Sequence, residues 1–388
     1  MLQKKLQFIL IFVLLALFTF AQSPIPAADQ TDQYFHLLKN KKIGIVANQT
    51  SRIGNIHLVD ALQNAGFAIQ KVFAPEHGFR GEAEAGANIT NGIDSKTGIP
   101  IVSLYGKNKK PSAESLKGID LLLFDIQDVG TRFYTYISTL TYVMEACAEN
   151  NIPLLILDRP NPNAHYVDGP VLEKEFESFV GLLPIPVVHG MTLAELAKMI
   201  NGEGWLNNKI ECKLKIIPVK NYNHQMIYHL PVAPSPNLPN DNAIALYPSL
   251  CFFEGTNVSI GRGTNFPFEV IGYPDYSDKN FSFQPISLAG KSVHPKFENQ
   301  ICYGLDFRIY SKKYKRSYRL DLQYLIDFYS SYSDKNNFFT SYFKLLAGTN
   351  KLEEQIKAGW SENEIRKSWE PELNTFKIMR KKYLLYQD

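Results

Sequence analysis

The run Ile119-Asp120-Leu121-Leu122-Leu123-Phe124-Asp125 is apolar on consecutive residues through its middle. A strand of that kind must be covered on both faces, which is the pattern of a parallel sheet between two layers. A stretch of helical periodicity follows from Phe133 to Asn150, and then a further apolar run, Ile152–Asp158. The same rhythm comes before it. Lys42–Ala47, Ala68–Phe73 and Ile99–Leu104 read as strands, with helical patterns at His57–Ala65 and Ser112–Lys117. Strands separated by helices in this order predict βαβ units and an α/β fold with a largely parallel sheet. Right-handed crossovers then bring the strand ends to one side. Each of these ends carries polar residues: Asn48, Glu76, Asp125 to Asp128, and Asp158 to Asn163.

Past Asn163 the rhythm changes. Thr192–Asn201 is a helix with a capping box, Thr192 answered by Glu195. Leu214–Val219 is another strand, and Pro231–Pro239 is irregular. From Tyr247 the chain is rich in aromatics and glycine. A length of 388 residues favours two domains. The expected division is a leader at 1–21, a first domain at 22–235 and a second at 236–388.

The leader has a positive start at Lys4 and Lys5, an apolar core from Leu6 to Phe20 and a small residue at Ala21. That is the pattern of a cleaved signal peptide, and the core is short for a spanning helix. The expectation is an exported protein with no stable membrane anchor. A net charge of +3 does not point to nucleic acid as a partner, and the basic stretch from Arg366 to Lys382 reads as a solvated helix face. Cys147, Cys212, Cys251 and Cys302 are scattered, without the close spacing of a zinc cluster or redox pair, and read as buried thiols.

Four polar clusters stand out as chemistry. Val72–Gly86 packs Glu76, His77, Arg80, Glu82 and Glu84 between glycines directly after a strand. Pro75 stiffens the backbone where Glu76 must be aimed. A carboxyl held there beside apolar walls suits general acid catalysis, with His77 at hand to bind substrate. Phe124–Tyr136 places Asp125 and Asp128 at a strand end, with Arg132, Tyr134 and Tyr136 opening the next helix. The carboxylates suit a base or an ion pair with Arg132, and the tyrosines suit a sugar platform or plain packing. Asp158-Arg159-Pro160-Asn161-Pro162-Asn163 is a rigid strand-end turn whose polar members read as substrate contacts. Phe253–Asn265 brings Glu254, Asn257 and Arg262, the last between two glycines and suited to bidentate capture of a carboxylate. His189, before a helix, is a further ligand contact or a packed histidine. No P-loop, G-x-S-x-G or H-E-x-x-H pattern is present, and no metal or cofactor is called for.

Taken together, Gly44–Thr50, Pro75–Gly81, Phe124–Tyr136, Asp158–Pro162, His189–Thr192 and Tyr247–Thr264 resemble the NamZ family, exo-β-N-acetylmuramidases once filed as YbbC-like proteins and grouped as glycoside hydrolase family 171. The stretches occur in order over much of the chain. One departure lies at Gly272-Tyr273-Pro274-Asp275, where the family pattern has a tryptophan soon after the proline. The resemblance implies a Rossmann-like N-terminal domain, a smaller α+β C-terminal domain and a pocket between them. It also implies release of terminal N-acetylmuramic acid from the non-reducing end of peptidoglycan fragments, with Glu76 matching the family's proposed catalytic glutamate.

On this reading Glu76 protonates the glycosidic oxygen. A second acid drawn from Glu82, Glu84, Asp125, Asp128 and Glu254 activates water or attacks the anomeric carbon, unless the substrate's own acetamido group does so. Asn48, His77, Arg80, Asp125, Arg132, Tyr134, Arg159, His189, Glu254, Asn257 and Arg262 are the expected substrate contacts, with Arg262 or Arg132 selecting the lactyl carboxylate of muramic acid. Two other readings fit an exported chain. One is a protein that binds muropeptide or sugar acid without hydrolysis. The other is an esterase or amidase, for which no serine nucleophile stands out.

Overall fold

The computed structural model describes residues 23–81, 91–308 and 318–388. The leader expected at 1–21 lies outside the described residues, as do Glu82 and Glu84.

Six parallel strands form the central sheet: β1 Lys42–Ala47, β2 Ala68–Ala74, β3 Pro100–Ser103, β4 Leu121–Asp125, β5 Leu154–Leu157 and β6 Leu214–Ile217. Their spatial order is β3-β2-β1-β4-β5-β6, and a two-residue strand, Gly92–Ile93, pairs antiparallel on the β3 edge. This is the doubly wound Rossmann order, in which the crossovers reverse direction between β1 and β4.

The strands alternate cleanly between two cores. On one face lie Ile43, Ile45 and Ala47 of β1, Leu121 and Leu123 of β4, and Leu155 and Leu157 of β5. On the other lie Val46, Leu122, Phe124, Leu154 and Ile156. Period-two alternation with both sets buried explains the continuous apolar runs. Gly44 has no room for more, since a Cβ there would fall 2.7 Å from Leu122 Cδ1.

Helices α1 Thr31–Leu38 and α2 Leu58–Asn64 pack on the first face. Helices α3 Ala113–Leu116, α4 Tyr136–Glu149 and α5 Leu193–Gly202 pack on the second. The predicted capping box of α5 is present, with Thr192 accepting from Glu195 N and the Glu195 carboxylate accepting from Thr192 N.

Beyond residue 240 follow α6 Asp241–Leu250, a three-stranded antiparallel sheet in the order β7-β9-β8 (β7 Val270–Tyr273, β8 Ser282–Phe283, β9 Cys302–Asp306), and helices α7 Gln323–Ser331, α8 Tyr342–Ala347, α9 Lys351–Lys357 and α10 Glu362–Arg380. Most of their apolar residues join the second core, so Phe252, Phe343 and Trp369 share a cluster with Phe124 and Leu140, while Val270, Phe283 and Cys302 form a small cluster of their own. All four cysteines are buried free thiols, as read from the sequence. Among the described residues no helix is long and apolar enough to cross a membrane.

The basic stretch near the end is not uniformly solvated. Arg380 is buried, donating to Gly190 O at 2.7 Å and to both Asp388 carboxylate oxygens. Arg366 pairs with Asp168 at 2.5 Å. Arginine serves these roles because its fork holds several acceptors at once.

Candidate active site

The loops after β2 and β3 and the start of α4 converge on a cavity of about 590 Å³, within the roughly 300–1,000 Å³ usual for ligand pockets. Glu76 and His77, Tyr105, and Phe133 to Tyr136 form its floor. Ser235, Asn237, Leu238, Tyr247, Glu254, Arg262, Phe268, Tyr342 and the segment Lys291–Lys296 also line it. The site therefore draws on both halves of the chain.

Glu76 is aimed by strained backbone. His77 and Gly78 have φ of 70° and 77°, and Gly78 N closes the turn on Pro75 O at 3.0 Å. A histidine in the left-handed region costs on the order of 1 kcal/mol or more, and such residues gather where a side chain must be placed for chemistry. Thr135, at the N-cap of α4, donates its hydroxyl to Glu76 Oε2 at 2.7 Å. Tyr136 OH reaches Glu76 O at 3.4 Å and accepts from Asn48 Nδ2 at 2.8 Å. Asn48 thus stands behind the cavity and positions a residue that lines it.

From Glu76 a ladder of rings leads to the opposite wall. Tyr136 and Tyr134 meet edge to face at 4.9 Å, Tyr134 and Tyr247 at 5.9 Å, and Tyr247 and Phe268 at 4.9 Å. Arg262 lies 5.4 Å from the Phe268 ring centre. Its Nε donates to Glu254 Oε1 at 2.6 Å. Lys296 donates to the carbonyls of Phe253, Glu254 and Thr256, and burial pulls its ammonium down to about 8. Burial, with Glu254 and Glu76 nearby, pushes the Tyr342 phenol well up. Among the described residues Glu76 and Glu254 are the carboxylates that line the cavity.

Of the residues singled out in the sequence, the fold brings Glu76, His77, Tyr134, Tyr136, Glu254 and Arg262 to this cavity. It takes the others elsewhere. Arg132 is 1% exposed and donates to the carbonyls of Pro170, Ile185, Leu346 and Ala347 at 2.7 to 3.0 Å, so its guanidinium is a structural clamp. Asp125 and Arg159 form a buried bidentate pair at 2.5 and 2.8 Å, with Arg159 also donating to Arg52 O. They join β4 to the turn after β5. Asp158 accepts from Ala194 N and from Tyr386 OH, at 3.2 and 2.6 Å, and so pins the final residues.

Arg80 bridges Asp60 and Asp94 at 3.0 and 2.7 Å. Asn257 ties to Asn337 O and Phe338 O, at 2.5 and 2.8 Å. Asp128 is buried behind the tyrosines, where desolvation raises its carboxyl to about 7 although Gly130 N donates to it. His189 sits 3.9 Å from Asp128, and burial lowers its imidazole to about 3. Its Nδ1 accepts from Met191 N, so the ring is neutral with its proton on Nε2. The stretch 272–275, where the tryptophan is missing, does not line the cavity.

At the switch point between β1 and β4 the same theme holds. Asn48 Oδ1 accepts from Thr50, Thr50 Oγ1 accepts from Gln127 N, and Ser51 Oγ donates to Asp125 O. The crevice that binds dinucleotides in other doubly wound sheets is filled here by the chain's own hydrogen bonds, and the open cavity lies over β2, β3 and α4.

Sequence reasoning missed Thr135, Tyr105, Phe179 and Tyr342. Thr135 lay one residue beyond Tyr134 in a segment already singled out. The others sit in stretches with no distinctive residue pattern.

The family description "Exo-beta-N-acetylmuramidase NamZ, N-terminal" matches residues 43–242, and its C-terminal counterpart matches residues 245–386. The peptidoglycan β-N-acetylmuramidase NamZ of Bacillus subtilis (strain 168) is 39% identical over 373 residues, covering 91% of this chain and 89% of the relative. The crystal structure of a DUF1343 family protein from Bacteroides fragilis NCTC 9343 is 48% identical with a TM-score of 0.85, covering 95% of this chain and 100% of that one. A second DUF1343 protein of the same organism is 27% identical with a TM-score of 0.79, covering 94% and 99%.

Proposed function

The chain belongs to the NamZ family of exo-β-N-acetylmuramidases, and we propose that it releases terminal N-acetylmuramic acid from the non-reducing end of peptidoglycan fragments. The carrying observation is Glu76 held by Thr135 on the wall of a cavity whose far side presents Arg262 beside Glu254. Glu76 donates its proton to the linking oxygen as the bond from that oxygen to the anomeric carbon breaks. Water supplies the anomeric hydroxyl, and its second proton passes to a carboxylate. Among the described residues Glu254 is the cavity's other carboxylate, and it is the partner acid of this reading. Arg262 takes the lactyl carboxylate of the muramic acid, which a glucosamine lacks. We assign the enzyme to the outside of the cytoplasm, from the leader at 1–21.

A binding protein without hydrolytic activity is set aside, since the Bacillus subtilis relative is a peptidoglycan β-N-acetylmuramidase by name. The test offers chromogenic β-N-acetylmuramide and the matching β-N-acetylglucosaminide to the purified protein. Release from the first and not the second is expected, and Glu76→Gln keeps ligand binding while losing turnover. Release from neither at any pH overturns the reading.

A further inference from the structure

The cavity has a second end that the mechanism above does not use. Ser178 and Gly181 exchange backbone hydrogen bonds at 2.8 and 3.0 Å, which leaves Phe179 and Val180 at the tip of a tight turn. Both line the cavity and both are half-exposed. The tip is held from behind. A Cβ on Gly181 would meet Leu172 at 3.3 Å and Arg132 Nε at 3.5 Å, and Arg132 is clamped by its four carbonyls. An aromatic ring is thus presented to solvent inside the site by a buried, hydrogen-bonded support.

Its neighbours make it a platform. Tyr105, which also lines the cavity, lies 5.9 Å from Phe179 at 57°, so the two rings form an open V. Tyr142 packs nearly parallel to Phe179 at 6.4 Å, and the Lys109 ammonium lies 4.7 Å from the ring centre. Tyr142 also fixes the distance to the chemistry. It lies seven residues after Thr135, two turns along the same face, or about 10 Å. Thr135 holds Glu76, so the ring pair stands within reach of a sugar whose linking oxygen is at that carboxyl. Elsewhere on the lining Arg262 and Glu254 form a charged pair.

We propose that Phe179 and Tyr105 form the subsite for the leaving-group sugar, the 2-acetamido pyranose bonded to the released muramic acid, with Lys109 as a donor to its polar substituents. The apolar face of a pyranose packs on aromatic rings, and a ring braced in advance loses little freedom on binding. This rests on the muramidase reading.

The experiment uses the full chain and two substrates. One is the disaccharide of N-acetylmuramic acid β-linked to N-acetylglucosamine. The other is β-N-acetylmuramyl fluoride, whose leaving group is a single atom. Phe179→Ala is expected to lower kcat/KM for the disaccharide about tenfold and to leave the fluoride within about twofold, while Phe179→Trp restores the disaccharide rate. Equal loss on both substrates, or no loss on either, overturns the subsite. Failure of the unaltered enzyme on both substrates overturns the muramidase reading beneath it.

Discussion

Thr135 Oγ1 stands 2.7 Å from Glu76 Oε2, joining the first turn of α4 to the loop after β2. This contact orients the proposed acid, whose side chain is half-exposed on a turn. Thr135→Val keeps the shape and removes the hydroxyl. We expect kcat to fall about tenfold with KM nearly unchanged, the pattern of a lost orienting contact. Thr135→Ser restores it. Steady-state kinetics on the muramide decides, and unchanged kcat in the valine variant counts against the contact.

On the proposed reading Arg262 selects the sugar by its lactyl carboxylate. Arg262→Met removes the cation while leaving a stem to pack near Phe268. The muramide KM is expected to rise by about 10- to 100-fold, the scale of a lost charge-assisted bond. Binding of N-acetylglucosamine itself, measured by calorimetry, stays within about twofold. Equal weakening for both sugars contradicts the assignment.

Asp128 gives the fold a dependence on pH. Its folded-state carboxyl sits near 7, above the ordinary 3.8, because burial disfavours the charge. The folded state therefore holds the proton more tightly. The associated stability is complete below about 4 and is lost as pH rises through about 7, a loss on the order of 4 kcal/mol. Asp128→Asn imitates the protonated form and should raise the melting temperature at pH 8 but not at pH 4. His189 acts with the opposite sign. Burial lowers it to about 3, so its contribution is complete above about 6.5 and is lost as pH falls towards 3. Thermal melts of both proteins across this range separate the two effects.

Tyr386 secures the end of the chain. Its hydroxyl donates to the buried Asp158, and Leu385 N and Tyr386 N donate to Glu195. Tyr386→Phe strips a donor from a buried carboxyl and should cost about 1–3 kcal/mol, read from urea denaturation. A change below about 0.5 kcal/mol means that water replaces the hydroxyl.

The parallel sheet was legible because apolar runs longer than a half-buried strand allows have few other homes. Strand β1 and the capping box of α5 fall where the pattern puts them. Glu76, Glu254 and Arg262 were legible as polar residues crowded among glycines. The arginines at 80, 132 and 159 misled for the same reason. Density of charge marks both a site and a clamp, and the sequence does not say which carbonyls or carboxylates will close around a guanidinium. Phe179 was hidden because a ring at a turn looks like any surface phenylalanine until the cavity beside it is known.

Arg132 also bears on how the molecule comes apart. Its four acceptors come from a hairpin at 170 and 185 and from the helix ending at 347. Peeling away either group strands a cation among apolar neighbours, so neither half gains by loosening alone. Melting should then be a single cooperative transition, with calorimetric and van't Hoff enthalpies in agreement, and a protease should find no stable fragment to leave behind.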